Sequence, residues 1–256
     1  MYIDSHCHLD DEQYDHDREV LIQGLRAKGI EYVVNIGTNI ASSETCVQMA
    51  QQHEVLYAAV GVHPHDAKEL ETASLEEIEK WVGSPKMVAI GEIGLDYHYD
   101  YSPRDIQKKW FAAQIDLAKK YGLPIIVHDR EAHKDTYDII MAAQDGSLKG
   151  VIHSFSGSVE MAREYIKLGF YIGLGGPVTF KNAVMPKEVA KAIPLDRLLL
   201  ETDGPYMSPT PLRGKRNEPQ NVQYVAEAIA ALRDISVEEV MAQTTLNAKT
   251  LFGLDA

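Results

Sequence analysis

The chain alternates between short apolar runs and longer stretches in which apolar residues recur at helical spacing. Apolar runs fall at 30–36, 55–60, 87–90, 125–127, 150–152, 170–174 and 197–200, and the opening stretch 2–9 precedes them. Short continuous runs of this kind suit strands covered on both faces, as in a parallel sheet. Between them the spacing predicts helices over 17–28, 41–53, 75–82, 105–121, 132–144, 159–168 and 184–192, with two more over 222–233 and 237–252. In the first, Val20, Leu21 and Leu25 share a face and Gly29 supplies a C-terminal cap. In 105–121, Trp110, Phe111, Ile115 and Ala118 lie on one side, and Gly122-Leu123-Pro124 ends the helix. Eight strands, each followed by a helical segment, in 256 residues predict an α/β fold, a (β/α)₈ TIM barrel. No linker, low-complexity segment or fixed-period repeat interrupts it, so residues 1–256 read as one domain.

A barrel of this kind carries its chemistry at the C-terminal ends of the strands. The run 87–90 passes into Gly91-Glu92-Ile93-Gly94. A carboxylate at the end of a buried strand is costly unless a cation answers it, and the alternative is a Glu that turns into solvent. His6 and His8 share one side of a strand by period 2, which forms a pincer for a metal ion, and Cys7 then points the other way as a small apolar residue. His63, His128, His153 and Asp203 stand at further run ends, so six of the eight strands contribute a metal-type ligand. His65 is assigned to the following loop. His16, His53, His98 and His133 have no such context and read as solvated.

Imidazoles and carboxylates converging on one rim are compatible if two divalent cations sit among them. The two oxygens of Glu92 can bridge cations roughly 3.5–4 Å apart, and a water they share becomes the nucleophile. Asp203 would ligate one cation and steer or accept the proton of that water. His63 is placed to hydrogen-bond a scissile phosphate or leaving oxygen, and Glu201 is either an orienting group or a solvated carboxylate. Mixed nitrogen and oxygen donors leave the metal open among Mg, Mn and Zn.

Charge narrows the partners. A net charge of −13 excludes a broad basic surface for nucleic acid, so a polyanion must be gripped locally. Arg213, Lys215 and Arg216, following the eighth strand, are the candidates for binding substrate phosphates, although charge runs are usually solvated loops. No aromatic platform for stacking bases stands out. Two cysteines are too few for a disulfide framework, and the opening residues lack a signal-peptide pattern, so a cytoplasmic location is expected. No run has membrane-spanning length, and no protein partner is indicated.

The chain resembles the TatD family of metal-dependent deoxyribonucleases over essentially its whole length. The matching residues are Asp-Ser-His-Cys-His-Leu-Asp at 4–10, Gly-Val-His-Pro-His at 61–65, Gly-Glu-Ile-Gly-Leu-Asp-Tyr at 91–97 and Val-His at 127–128. His-Ser-Phe-Ser-Gly at 153–157, Glu-Thr-Asp-Gly-Pro-Tyr at 201–206 and Arg-Gly-Lys-Arg-Asn-Glu-Pro at 213–219 complete the set. The resemblance implies one metal held by His6, His8, Glu92 and Asp203, and a second held by Glu92, His128 and His153. It implies a metal-dependent phosphodiesterase, a deoxyribonuclease acting exonuclease-like on single strands or exposed ends, with DNA as substrate. The alternatives are a hydrolase of carboxylic esters or amides on the same centre, such as an aminoacyl-tRNA deacylase, and a non-catalytic nucleic-acid-binding protein.

Overall fold

The computed structural model describes residues 1–254. Eight parallel strands pair in chain order, β1 (Tyr2–Cys7), β2 (Ile30–Ile36), β3 (Leu56–Val60), β4 (Met87–Asp96), β5 (Ile125–Arg130), β6 (Gly150–Ile152), β7 (Tyr171–Leu174) and β8 (Leu198–Leu200). Between them run α1 (Arg18–Gly24), α2 (Ile40–Gln52), α3 (Thr72–Trp81), α4 (Arg104–Tyr121), α5 (His133–Ala143), α6 (Val159–Lys167) and α7 (Met185–Ala192). After β8 come α8 (Val222–Arg233) and α9 (Val237–Phe252). This is the (β/α)₈ barrel that the apolar pattern predicts. The first helix is shorter than its spacing suggests: the chain tightens after Gly24 into a 3₁₀ turn over Arg26–Lys28, because glycine weakens a helix interior. Gly29, at φ 86°, then caps it in the left-handed conformation.

Two apolar layers hold the barrel. One draws on every strand, through residues such as Ile3, Ala59, Ala89, Ile126, Val151 and Leu199, and is joined by Phe252 and Leu254 at the end of α9. This cluster fills the lumen. The second lies between the sheet and the helices, where Trp110, Phe111, Ile115 and Ala118 of α4 are buried as their spacing predicts.

The seam between β8 and β1 is closed by side chains and by the segment that follows β8. There the Asp203 amide donates to the His6 carbonyl at 2.9 Å and the His8 amide to the Gly204 carbonyl at 2.7 Å. Ser5 Oγ donates to the Leu200 carbonyl at 2.9 Å, and the buried Asp4 carboxylate accepts from the Thr202 amide at 2.8 Å and hydroxyl at 2.5 Å. Burial raises the Asp4 carboxyl to about 8 against the lowering effect of these hydrogen bonds.

The sequence places Glu92 just beyond its strand, but β4 runs on for ten residues and holds Glu92 inside it. Between Ile90 and Ile93 the register advances three residues on β4 against two on β5, from Ile125 to Val127. This bulge lets Ile90 and Ile93 both face the helices, which strict alternation forbids, and aims Glu92 inward. The flanking glycines let β4 lie against β5. A Cβ on Gly91 would come 2.6 Å from Ile126 Cβ, and one on Gly94, at φ 144°, would come 2.0 Å from the His128 carbonyl oxygen.

Gly94→Ala is therefore expected to destabilise the barrel by about 3 kcal/mol or more, since it adds backbone strain to a clash that only strand separation relieves. Gly29→Ala, at positive φ but in open space, should cost only about 1 kcal/mol. Urea unfolding of the two variants checks this, and equal losses would refute the close-approach argument.

Candidate metal centre

Each oxygen of Glu92 faces its own set of imidazoles. Oε2 lies 3.3 Å from His6 Nε2 and 3.6 Å from His8 Nε2. Oε1 lies 2.8 Å from both His128 Nδ1 and His153 Nε2, and 3.7 Å from His63 Nε2. Asp203 Oδ1 joins the first set, 3.8 Å from His6 Nε2 and 3.5 Å from His8 Nε2. The rings of His6 and His153 stack at 3.8 Å between centroids, so the two sets are in direct contact. All seven residues named from the sequence, His6, His8, His63, Glu92, His128, His153 and Asp203, come together at the C-terminal rim.

The outer nitrogens decide what the inner ones can do. His8 Nδ1 donates to the Ile36 carbonyl at 3.0 Å, which turns Nε2 toward Glu92, where loss of its proton would free a lone pair for a metal. His63 is the opposite case. Its Nδ1 accepts from the His65 amide at 3.1 Å, so Nε2 carries the proton and is a donor. Burial and the neighbouring His128 push His63 well below the ordinary imidazole range, which keeps it neutral. His128 turns Nδ1 toward Glu92 and holds Nε2 3.1 Å from Asp96 Oδ2.

Burial by itself raises the Glu92 carboxyl, but His153, His6, His63 and the His128 hydrogen bond outweigh it and hold the carboxyl well below the usual range. Asp203 behaves likewise, with His8 the strongest opposing partner of burial. Burial lowers His8, yet Asp203 and Glu92 together raise it to about 9. The centre is thus charged and mutually polarised. Three groupings bring ligand atoms within reach of one ion: His6 with His8 and Asp203, His6 with His153 and Glu201, and His63 with Glu92 and His128, although the proton on His63 Nε2 keeps that ring out of the last. Imidazole nitrogens and ionised carboxylates crowded together are a donor set that fits divalent cations, which would take the place of the protons the rings now share with the carboxylates.

Three positions go beyond the sequence reading, which leaves Glu201 open between an orienting group and a solvated carboxylate. Glu201 is fully buried, not solvated: one oxygen accepts from the Ser154 amide and lies 3.7 Å from His153 Nδ1. Gly173 makes room for it, since a Cβ there would meet Glu201 Oε2 at 2.4 Å. His65 sits in the turn after β3 as expected, yet its Nε2 reaches Asp96 Oδ2 at 3.0 Å and so belongs to the network. Asp96 itself went unassigned in the sequence. It lies four residues after Glu92, a same-face spacing in an extended strand that only the true length of β4 reveals. Among the remaining histidines, His16 and His98 are exposed as read, whereas His53 and His133 are half-buried beside Glu19 and Asp129.

The centre opens into a cleft of about 410 Å³ lined by His128, Arg130, His153, Phe180, Asp203 and Met207. A second hollow of about 430 Å³ shares Phe180 and Met207 and leads to Arg213 and Lys215. Arg213 stacks its guanidinium 3.8 Å over the Phe180 ring, and Lys215 is exposed. Arg216 is otherwise engaged. Asp17 grips it with two hydrogen bonds of 2.7 Å, Glu218 takes a third at 2.9 Å, and it lies over the Tyr14 ring. A guanidinium so occupied is a structural clasp, which removes Arg216 from the phosphate-binding set.

An imidazole–carboxylate centre at the C-terminal rim of a (β/α)₈ barrel defines the class of metal-dependent hydrolases. A family model described as TatD related DNase matches residues 3–253, and the chain belongs to that family. It is 48% identical to the uncharacterized metal-dependent hydrolase YabD of Bacillus subtilis over the full length of both chains. It is 33% identical to the 3'-5' ssDNA/RNA exonuclease TatD of Klebsiella pneumoniae, over 96% of each. A crystal structure of a TatD homologue from Escherichia coli K12 superposes with a TM-score of 0.93 at 32% identity, covering 99% of this chain and 98% of that one.

Asp96→Asn keeps the shape but removes the charge that orients His128 and His65. Metal affinity, read by chelator competition, should fall about 10–100-fold. Unchanged affinity would show that Asp96 only anchors the loop.

Proposed function

We propose that this protein is a phosphodiesterase of nucleic acid, a deoxyribonuclease acting on single strands or exposed ends through two divalent cations. The observation that carries this reading is the division of Glu92, with one oxygen toward His6 and His8 and the other toward His128 and His153. A carboxylate that faces two ligand sets suits a two-metal site, in which Glu92, His6, His8 and Asp203 would hold one cation and Glu92, His128 and His153 the other. Two such cations supply Lewis acidity and lower the pKa of a bound water toward neutrality.

The chain's own groups have separate tasks. Asp203 is ionised and partly open to the cleft, so it can orient the attacking water and take its proton. The Nε2–H of neutral His63 can donate to a non-bridging phosphate oxygen or to the leaving oxygen, where negative charge grows. Arg213 and Lys215 lie along the same groove and can hold neighbouring phosphates. These cations favour a polyanion over a small carboxylic ester or amide. The name of the Klebsiella relative supports a single-stranded nucleic acid. No helix of the described residues is long and apolar enough to cross a membrane. The two cysteines are free and buried, which favours a reducing cytoplasm. One sheet and a family match over 3–253 favour a single catalytic domain.

Glu92→Gln should abolish cleavage of a labelled single-stranded oligonucleotide, while His16→Ala, at an exposed site, stays within a few-fold of the parent. Chelation should silence the protein, and at least one of Mg, Mn or Zn should restore it. Cleavage that survives exhaustive chelation would overturn the reading.

Neutralising Arg213 and Lys215 together should weaken DNA binding and reduce the slope of log K against log salt by roughly 0.7 per lost contact to a single strand. Turnover at saturating substrate should persist. Parallel salt slopes for parent and variant would remove this loop from the substrate path.

A further inference from the structure

The rim of β4 and β5 carries an aromatic stack that the proposed chemistry does not use. Tyr99 and Tyr101 are 46% and 56% exposed, and their rings stack at 5.1 Å with planes 18° apart. Arg130 lays its guanidinium over Tyr99, 4.8 Å from the ring centroid. Among the described residues no carboxylate pairs with Arg130, in contrast to Arg216, which two acids hold. Arg130 follows His128 by two positions on β5, hence on the same side, and both line the cleft.

The stack is held at a set distance from the centre. Asp96 Oδ2 binds His128 and His65, and its Oδ1 accepts from the amides of His98 and Tyr99, both at 3.0 Å. His65 also packs edge-on against both tyrosines, at 5.4 and 4.8 Å. Lys68 Nζ donates to the Tyr101 carbonyl at 3.2 Å. One carboxylate therefore orients a candidate ligand and pins the platform's backbone. Two half-exposed aromatic rings and an unpaired cation beside an anion-handling cleft match what an unpaired nucleotide needs, a flat face for its base and a positive charge for its phosphate.

We propose that the Arg130–Tyr99–Tyr101 stack is a base-binding subsite, which holds an unpaired nucleobase of a single-stranded nucleic acid beside the phosphate being cut. This rests on the nuclease reading above and adds to it a reason for preferring single strands, because a paired base cannot reach a platform on the rim. It also gives the groove two ends. Stacking operates on the β4–β5 side and phosphate contacts through Arg213 and Lys215 on the β8 side.

The test is binding of metal-loaded protein to a short phosphorothioate-linked oligothymidylate and to an abasic strand of equal length, read by fluorescence anisotropy. The parent should bind the oligothymidylate more tightly than the abasic strand. Tyr99→Ala with Tyr101→Ala should weaken binding of the oligothymidylate about tenfold and so erase that preference. Tyr99→Phe with Tyr101→Phe keeps both rings and should keep the preference, which separates stacking from damage to the loop. Arg130→Lys keeps the charge without the plane and should lose part of the preference. Equal losses on both strands, or none, would overturn the subsite and leave the nuclease reading intact. A parent protein that neither binds nor cuts single strands would overturn both.

Discussion

A carboxylate placed at the heart of a closed sheet is the constraint from which this structure follows. Glu92 is nearly fully buried, and an ionised group there is tolerated only where positive or polarisable partners surround it. Five imidazoles supply them, carried by four other strands or the turns that follow them. The local backbone is shaped to deliver that one side chain. The bulge in β4 aims it inward, and Gly91 and Gly94 let β5 come close enough to bring His128 within hydrogen-bonding distance.

A ring of further carboxylates ties this centre to the barrel. Asp96 couples β4, β5 and the turn after β3, while Glu201 sits behind His153. Asp4 closes the seam through Thr202, one residue before Asp203. Asp203 adopts a left-handed backbone at φ 58°, held by its amide's hydrogen bond to the His6 carbonyl at 2.9 Å. The strand that brings the histidine pincer thus also positions the aspartate opposite it.

Beyond the centre, the cations near the cleft divide into bound and unbound ones. Arg216 is spent on Asp17 and Glu218, where it clasps the loop after β8 to the N-terminal segment. Arg213 and Arg130 instead lie over aromatic rings, which keep a guanidinium in place without neutralising it. Arg130 lines the cleft at the centre, and Arg213 lines the hollow that joins this cleft at Phe180 and Met207. The difference between a clasp and a free cation is the presence of a carboxylate within reach.

The barrel and the residues that converge on its rim are legible in the sequence alone. Apolar periodicity is local, and Asp-Ser-His-Cys-His and Gly-Glu-Ile-Gly-Leu-Asp-Tyr are short enough to read along one strand. What needed the tertiary structure was every relation between strands. The length of β4 is set by its pairing with β5, so the sequence alone gives Asp96 no role. Glu201 and His65 acquire their partners from other strands, and nothing in their neighbours along the chain announces burial. Arg213, Lys215 and Arg216 form one charged run in sequence, but Asp17, about two hundred residues away, binds only the last of them. The stack of Tyr99, Tyr101 and Arg130 is not visible along the chain for the same reason. Periodicity reports which way a residue faces, whereas the partner it meets there is decided by how the chain closes on itself.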